Sequence, residues 1–166
     1  MGKTVIRMNQ TIQYKKRIRL KTFDYIGYYR YFITICTFNK KNLFCNNEIY
    51  NWMVSILCEK SALFEFKIWV YCFMPDHLHL LIEGEADHSD MKRFISSYKQ
   101  HTSFYHKKKT GMKLWQTNFY EHILRKEEDT MAVVRYILEN PVRKGLVDNF
   151  NNYPFSGSFV FDISDM

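Results

Sequence analysis

The sequence predicts an α+β fold, a ferredoxin-like sandwich with an antiparallel central sheet and helices packed on it. Three observations carry this. Phe66–Met74 (FKIWVYCFM) and His77–Glu83 (HLHLLIE) are strand-like segments separated only by Pro75-Asp76, the pattern of a hairpin. Segments with helical apolar spacing alternate with strand-like ones in the order β-α-β-β-α-(β)-α. The 166 residues, 46% hydrophobic and 17% aromatic, supply enough apolar surface for one packed domain, unlike the composition of a disordered chain.

Taken in order, residues 1–22 form a basic N-terminal arm, with Lys15, Lys16, Arg17 and Arg19 before the first acidic residue, Asp24. The arm either tracks a phosphate backbone or is a solvated tail. A single domain then spans 23–158, followed by a C-terminal tail, 159–166. Tyr29–Phe38 is β-branched and aromatic and reads as the first strand. Ile49, Trp52, Met53, Ile56 and Leu57 give helical spacing over Asn47–Leu63, with Asn46 or Asn47 as cap. After the hairpin, Ser89 or Asp90 caps a helix running to about His106, closed by Lys107-Lys108-Lys109 and Gly111. Leu114–Arg125 reads as an aromatic loop and a short strand. Glu127–Glu139 is a further helix, ended by Asn140-Pro141 because the residue before proline is pushed out of the helical region.

Lys plus Arg exceed Asp plus Glu by 24 − 17 = 7, and the isoelectric point is near 9.2. That balance favours an acidic partner such as nucleic acid. Cys36, Cys45, Cys58 and Cys72 show no CxxC spacing, which excludes a zinc ribbon or a thioredoxin-type motif. No signal-like N-terminus and no apolar run of about 20 residues is visible. The expectation is a reduced, cytoplasmic protein without a membrane partner.

Two constellations could carry chemistry. His77 and His79 are two apart on a strand, so both imidazoles face one side while Leu78 and Leu80 face the other. Two such imidazoles can chelate a metal ion, although the pair alone reads more simply as polar residues on a half-exposed strand. Tyr136 and Asn140 are four apart on a predicted helix and share a face. Alone they read as a core aromatic and a helix cap. Together the two pieces make a coherent design. A metal held by two imidazoles and an amide oxygen keeps positions open and can polarise a phosphodiester. A tyrosine phenol is a weak nucleophile at neutral pH and needs that help.

The segment Cys72–Leu81 (CFMPDHLHLL) resembles the histidine-hydrophobe-histidine motif of IS200-like and REP-associated tyrosine transposases. So do LWQTNFYEHILRKEEDTMAVVRYILENPVRKGLV, the ending Tyr153–Ser158 (YPFSGS) and, in character, YFITICTF with the following KKNLF. The resemblance covers about Tyr29 to Ser158, with the motifs in the family's order. It implies the HUH endonuclease fold, His77 and His79 as metal ligands, Tyr136 as nucleophile and Asn140 as third ligand, where the IS200 branch has glutamine. It implies a divalent cation, Mg²⁺ or Mn²⁺, and a 5′-phosphotyrosine link to single-stranded DNA bearing short hairpins. It also implies a monomer or a homodimer. Asp76 stands where the family often has asparagine, at a position that is not a ligand.

Phosphate contacts are expected from Lys107, Lys108, Lys109, Arg125, Arg143, Lys144 and the arm. Trp115, Phe119 and Tyr120 are expected either to stack on unpaired bases or, for Trp115 and Phe119, to pack in the core. Glu121 and His122 could assist a proton transfer, but read more simply as structural or DNA-contacting residues. The competing function is a hairpin-DNA-binding protein that has lost catalysis or been domesticated. A larger replication initiator or relaxase, or a metal hydrolase with more ligands, fits less well.

Overall fold

The hairpin is built as its turn dictates. In the computed structural model, which describes residues 22–166, β2 (Phe66–Met74) and β3 (His77–Gly84) pair antiparallel across Pro75-Asp76. Lys15, Lys16, Arg17 and Arg19 lie outside the described residues. β1 (Arg30–Cys36) pairs antiparallel with β3, β4 (Tyr120–Ile123) with β1, and the two-residue β5 (Ser156–Gly157) with β2. The sheet order β4-β1-β3-β2-β5 inserts β3 between β1 and β2, which is the split βαβ arrangement expected.

Helices cover both faces. α1 (Asn47–Leu63) and α2 (Met91–Thr110) pack on one, burying Met53, Leu57, Phe94, Ile95 and Tyr98 against Ile33, Ile35, Phe73 and Leu80. α3 (Thr130–Leu138) packs on the other, burying Val134, Ile137 and Leu138 against Phe32, Val70, Cys72 and Leu81. Phe161, Ile163 and Met166 near the C-terminus pack on this second core. Among the described residues no helix is long and apolar enough to cross a membrane.

A β-bulge reconciles β2 with both cores. Ile68 pairs with Ile82 and Val70 with Leu81, so Trp69 is an extra residue. The bulge switches parity: Phe66, Ile68, Tyr71 and Phe73 all reach the α1–α2 core, while Val70, Cys72 and Met74 reach the α3 core. Trp69 is held by its indole N–H donating to Glu83 at 2.7 Å.

The helix ends follow local chemistry. The Asn46 side chain accepts from the Glu48 and Ile49 amides, and Asp90 accepts from the Arg93 amide. α2 runs four residues past the expected end, because its terminal lysines suit the negative end of the helix dipole. Gly111, at φ 73°, then supplies the left-handed cap. α3 begins at Thr130 rather than Glu127, since Asp129 is the residue that caps it. Asn140-Pro141 does not end helical structure as expected. A second short helix, α4 (Asn140–Arg143), starts there with Pro141 in its first turn, where a missing N–H costs little.

Gly84, the last residue of β3, lies against the backbone of Gly27. A Cβ there would sit 2.0 Å from the Gly27 carbonyl oxygen and 3.0 Å from the Ser89 Cβ. Gly27 cannot easily retreat, because its own amide donates to the Ser89 carbonyl at 2.9 Å. Gly84→Ala is therefore expected to lower stability by about 1–3 kcal/mol. In urea denaturation the midpoint falls while the slope is kept; an unchanged midpoint would refute the close approach.

Candidate active site

His77 and His79 open β3 and point to the α3 face. Cys36 and Thr34 of β1 pair with them on one side, Met74 and Cys72 of β2 on the other. The two rings converge, with Nε2 atoms 3.1 Å apart. Their outer nitrogens are each held. His77 Nδ1 lies 2.6 Å from an Asp76 carboxylate oxygen, and His79 Nδ1 lies 2.9 Å from the Thr34 hydroxyl. The carboxylate can only accept, so His77 Nδ1 carries the proton and its Nε2 presents a lone pair. Thr34 can donate or accept, so His79 can hold its proton on either nitrogen.

Burial lowers the pKa of both histidines. For His77 the Asp76 hydrogen bond and charge oppose this, while Lys40 and Lys144 add to it. For His79 burial is reinforced by His77, Arg143 and Lys40, and its pKa lies well below the usual range. Both imidazoles are thus neutral at neutral pH, the form that ligates metals. The spacing fits one ion as well. Metal–nitrogen bonds of about 2.0–2.1 Å put two ligands roughly 2.9–3.4 Å apart, at right-angled to tetrahedral angles. Among the described residues no third His, Cys, Asp or Glu joins the pair in a metal-holding group. A third protein ligand would have to be of another type. Asn140, a candidate of another type, is 7% exposed at the start of α4.

Tyr136 reaches this face from α3. Its ring meets Phe32 edge-on, centroids 6.1 Å apart, and Phe32 in turn lies 5.4 Å from the His79 ring. The Arg143 guanidinium stands 4.1 Å over the Tyr136 ring and donates to the Tyr136 carbonyl at 2.7 Å. It also lies 3.8 Å from Glu139. Arg143 therefore belongs to the tyrosine's surroundings as well as being an exposed cation, and Lys144 is exposed just beyond it.

The other expected contacts are scattered. Lys107, Lys108 and Lys109 end α2, in the helical layer on the opposite face but at the same end of the sheet, as the 3.1 Å pair Lys109–Glu48 shows. Arg125 is exposed at the far end, just after Leu124, whose amide donates to the Arg30 carbonyl. Tyr120 is exposed opposite Thr34, and Phe119 packs partly on the first core. Base stacking by Trp115 is corrected. The side chain is 2% exposed, its ring lies near Phe44 and Tyr98, and its N–H donates to Thr102 at 2.9 Å. No ring face is left for a base. Glu121 accepts from the Tyr25 hydroxyl and His122 pairs with Glu128, so both tie β4 to its surroundings.

Sequence reasoning missed Thr34, Phe32 and Lys40. Thr34 carries a weak signal, a hydroxyl inside an otherwise apolar strand, but its pairing with His79 depends on register between strands 45 residues apart.

A family model described as "Transposase IS200 like" matches residues 26–140. The chain is 34% identical over 105 residues to a REP-associated tyrosine transposase of Escherichia coli (strain K12), covering 61% of this chain and 58% of that one. It is 29% identical over 144 residues to a putative REP-associated tyrosine transposase of Haemophilus influenzae, covering 80% and 81%. The fold superposes on a solved REP-associated tyrosine transposase bound to a REP hairpin with a TM-score of 0.69, at 22% identity, covering 84% of this chain and 82% of that one.

The burial of Trp115 has a measurable consequence. Trp115→Phe removes a buried hydrogen bond and leaves a small void, so the expected loss is about 1–3 kcal/mol in stability. Affinity of the folded variant for single-stranded DNA should be unchanged. A variant of native stability with weakened DNA binding would restore the stacking role.

Proposed function

The chain belongs to the IS200-like transposase family, and we propose that it nicks and rejoins single-stranded hairpin DNA through a 5′-phosphotyrosine link made by Tyr136. The single observation that carries the reading is the convergence of two neutral imidazole nitrogens at 3.1 Å, with Asp76 and Thr34 holding the rings from behind. Such an arrangement supports a role for the histidine pair in holding a metal, with Asp76 and Thr34 as its supporting shell.

In this reading His77, His79 and the Asn140 carboxamide hold a divalent cation, Mg²⁺ or Mn²⁺. When bound, the ion supplies charge stabilisation at the phosphodiester oxygens. The residues of the chain do the rest. The Tyr136 phenolic oxygen bonds to phosphorus and the bond to the 3′ oxygen breaks. The phenol proton is lost to solvent and the 3′ oxygen takes one up. The products are a 5′-phosphotyrosine ester and a 3′-hydroxyl. Because the ester conserves the bond, a 3′-hydroxyl can reverse the step without ATP. Arg143, over the phenol ring and bonded to the same residue's carbonyl, limits the positions Tyr136 can take.

Hairpin DNA is proposed as substrate on the strength of the similar chains, one of which was solved with a REP hairpin. The excess of seven positive charges suits that partner. Packing of α3 on the sheet of its own chain supports a site complete within a monomer.

Incubation with 3′-labelled single-stranded hairpin DNA from the flanks of the gene, plus Mg²⁺ or Mn²⁺, should give a covalent adduct on denaturing gels. Tyr136→Phe and His77→Ala are expected to abolish it. An adduct that survives in Tyr136→Phe would move the nucleophile to another residue, and tight hairpin binding without any adduct would favour a binding protein without catalysis. A separate titration tests the supporting shell. Thr34→Val should weaken Mn²⁺ binding by about 10–100-fold in calorimetry, and unaltered affinity would remove Thr34 from the site.

A further inference from the structure

We infer that Lys40 is a substrate-binding residue of this site, its ammonium gripping the scissile phosphate from the β1 side of the histidine pair while Arg143 at the end of α4 and the adjoining Lys144 face it. The inference rests on the proposed nicking reaction for the meaning of the phosphate, but its evidence is separate.

Lys40 ends a short 3-10 turn, Phe38–Lys40, directly after β1. The turn is fastened to the link that delivers the histidines. The Thr37 amide donates to the Asp76 carbonyl at 2.9 Å, and the Thr37 hydroxyl lies 3.0 Å from the same oxygen and 2.8 Å from the Lys41 carbonyl. Asn39 and Lys40 both sit at φ 55°, a left-handed conformation that side-chain-bearing residues adopt at a cost. The outcome of this geometry is the direction of one side chain. Lys40 Nζ lies 3.3 Å from Cys36 Sγ, and Cys36 is the residue paired with His77 across the sheet.

A thiol is a weak acceptor and gives this ammonium little compensation. Among the described residues no carboxylate lies within ion-pair distance of Lys40. Asp76 is engaged with His77 and Glu139 lies near Arg143. An exposed, uncompensated cation thus stands on the β1 side of the two imidazoles, while Arg143 and the adjoining Lys144 follow from α4. Such a group concentrates an anion between them. A lysine ammonium is a compact point charge suited to a phosphodiester oxygen, whereas a paired surface lysine would be elsewhere engaged.

The test uses the full chain and the hairpin strand of the adduct assay. Lys40→Gln, Lys40→Arg and, as a control at the other end of the sheet, Lys92→Gln are compared with wild type. At saturating DNA, Lys40→Gln is expected to form adduct about 10–100-fold more slowly, with Lys40→Arg restoring most of the rate and the melting temperature unchanged. In binding measured over a range of salt, the log–log slope should fall by about 0.7 in Lys40→Gln, the loss of one phosphate contact on a single strand. Lys92→Gln should leave both readings alone. The slope distinguishes this proposal from the nicking reading. If wild type forms no adduct but Lys40→Gln lowers the slope, the phosphate grip stands and the nicking reading falls. Wild-type rate and slope in Lys40→Gln, or equal losses in Lys92→Gln, would overturn the proposal.

Discussion

The site depends on two backbone carbonyls, those of Pro75 and Asp76. The Pro75 carbonyl accepts from the Leu43 and Phe44 amides, and the Asp76 carbonyl accepts from the amide of Thr37. The Asp76 carboxylate meets His77. A two-residue link thereby gathers the end of β1, the approach to α1 and the start of β3. Its first consequence is register. A slip of one residue would turn His77 and His79 into the α1–α2 core and bring Leu78 and Leu80 out. The apolar faces resist that slip, because Leu78 and Leu80 are fully buried. The chemistry is therefore held in place by the hydrophobic pattern on the other side of the same strand.

The electrostatics follow from that placement. At 9% exposure His79 is costly to protonate, and the neighbouring cations raise the cost further. The pair is thus kept neutral without a buried counter-charge. Asp76 orients His77 from the more exposed side, and Thr34 orients His79 from the deeper side. A neutral hydroxyl suits the deeper position, since a second carboxylate there would bear the desolvation cost of a charge.

Much of this was legible in the sequence where local chemistry decides. The bounds of α1 were expected at Asn47–Leu63, because Asn46 is a good cap, and those of β2 at Phe66–Met74, because proline follows. The histidines were expected on one face from period two alone. Elsewhere local signals were ambiguous. The lysine run of α2 read as an end and is helical. Asn140-Pro141 read as a stop and is the start of α4, since proline breaks a helix but also begins one. A continuous apolar run such as FKIWVYCFM has no parity, so the bulge at Trp69 could not be seen. Trp115 was open between core and surface until the packing of Phe44 and Tyr98 closed it. Thr34, Phe32 and Lys40 come near the histidine pair only through strand pairing and turn geometry, which are non-local.

The break between α3 and α4 bears on how Tyr136 and Asn140 relate. Four residues apart, they share a face only if helical geometry persists between them. It nearly does: the Glu139 amide donates to Arg135, the Arg143 amide donates to Glu139, and Glu139 itself keeps helical angles. The stripe Tyr136, Asn140, Arg143 thus survives the break, and the contact of Arg143 with both the ring and the carbonyl of Tyr136 is its direct expression. Tyrosine and amide are in this way positioned as one rigid piece by α3–α4, while the histidines are positioned as another by the hairpin. The packing of Val134, Ile137 and Leu138 on Val70, Cys72 and Leu81 sets the relation between the two pieces. A loss of packing in that core would therefore shift the tyrosine relative to the histidines without touching either, so the second core has a positional task beyond its contribution to stability.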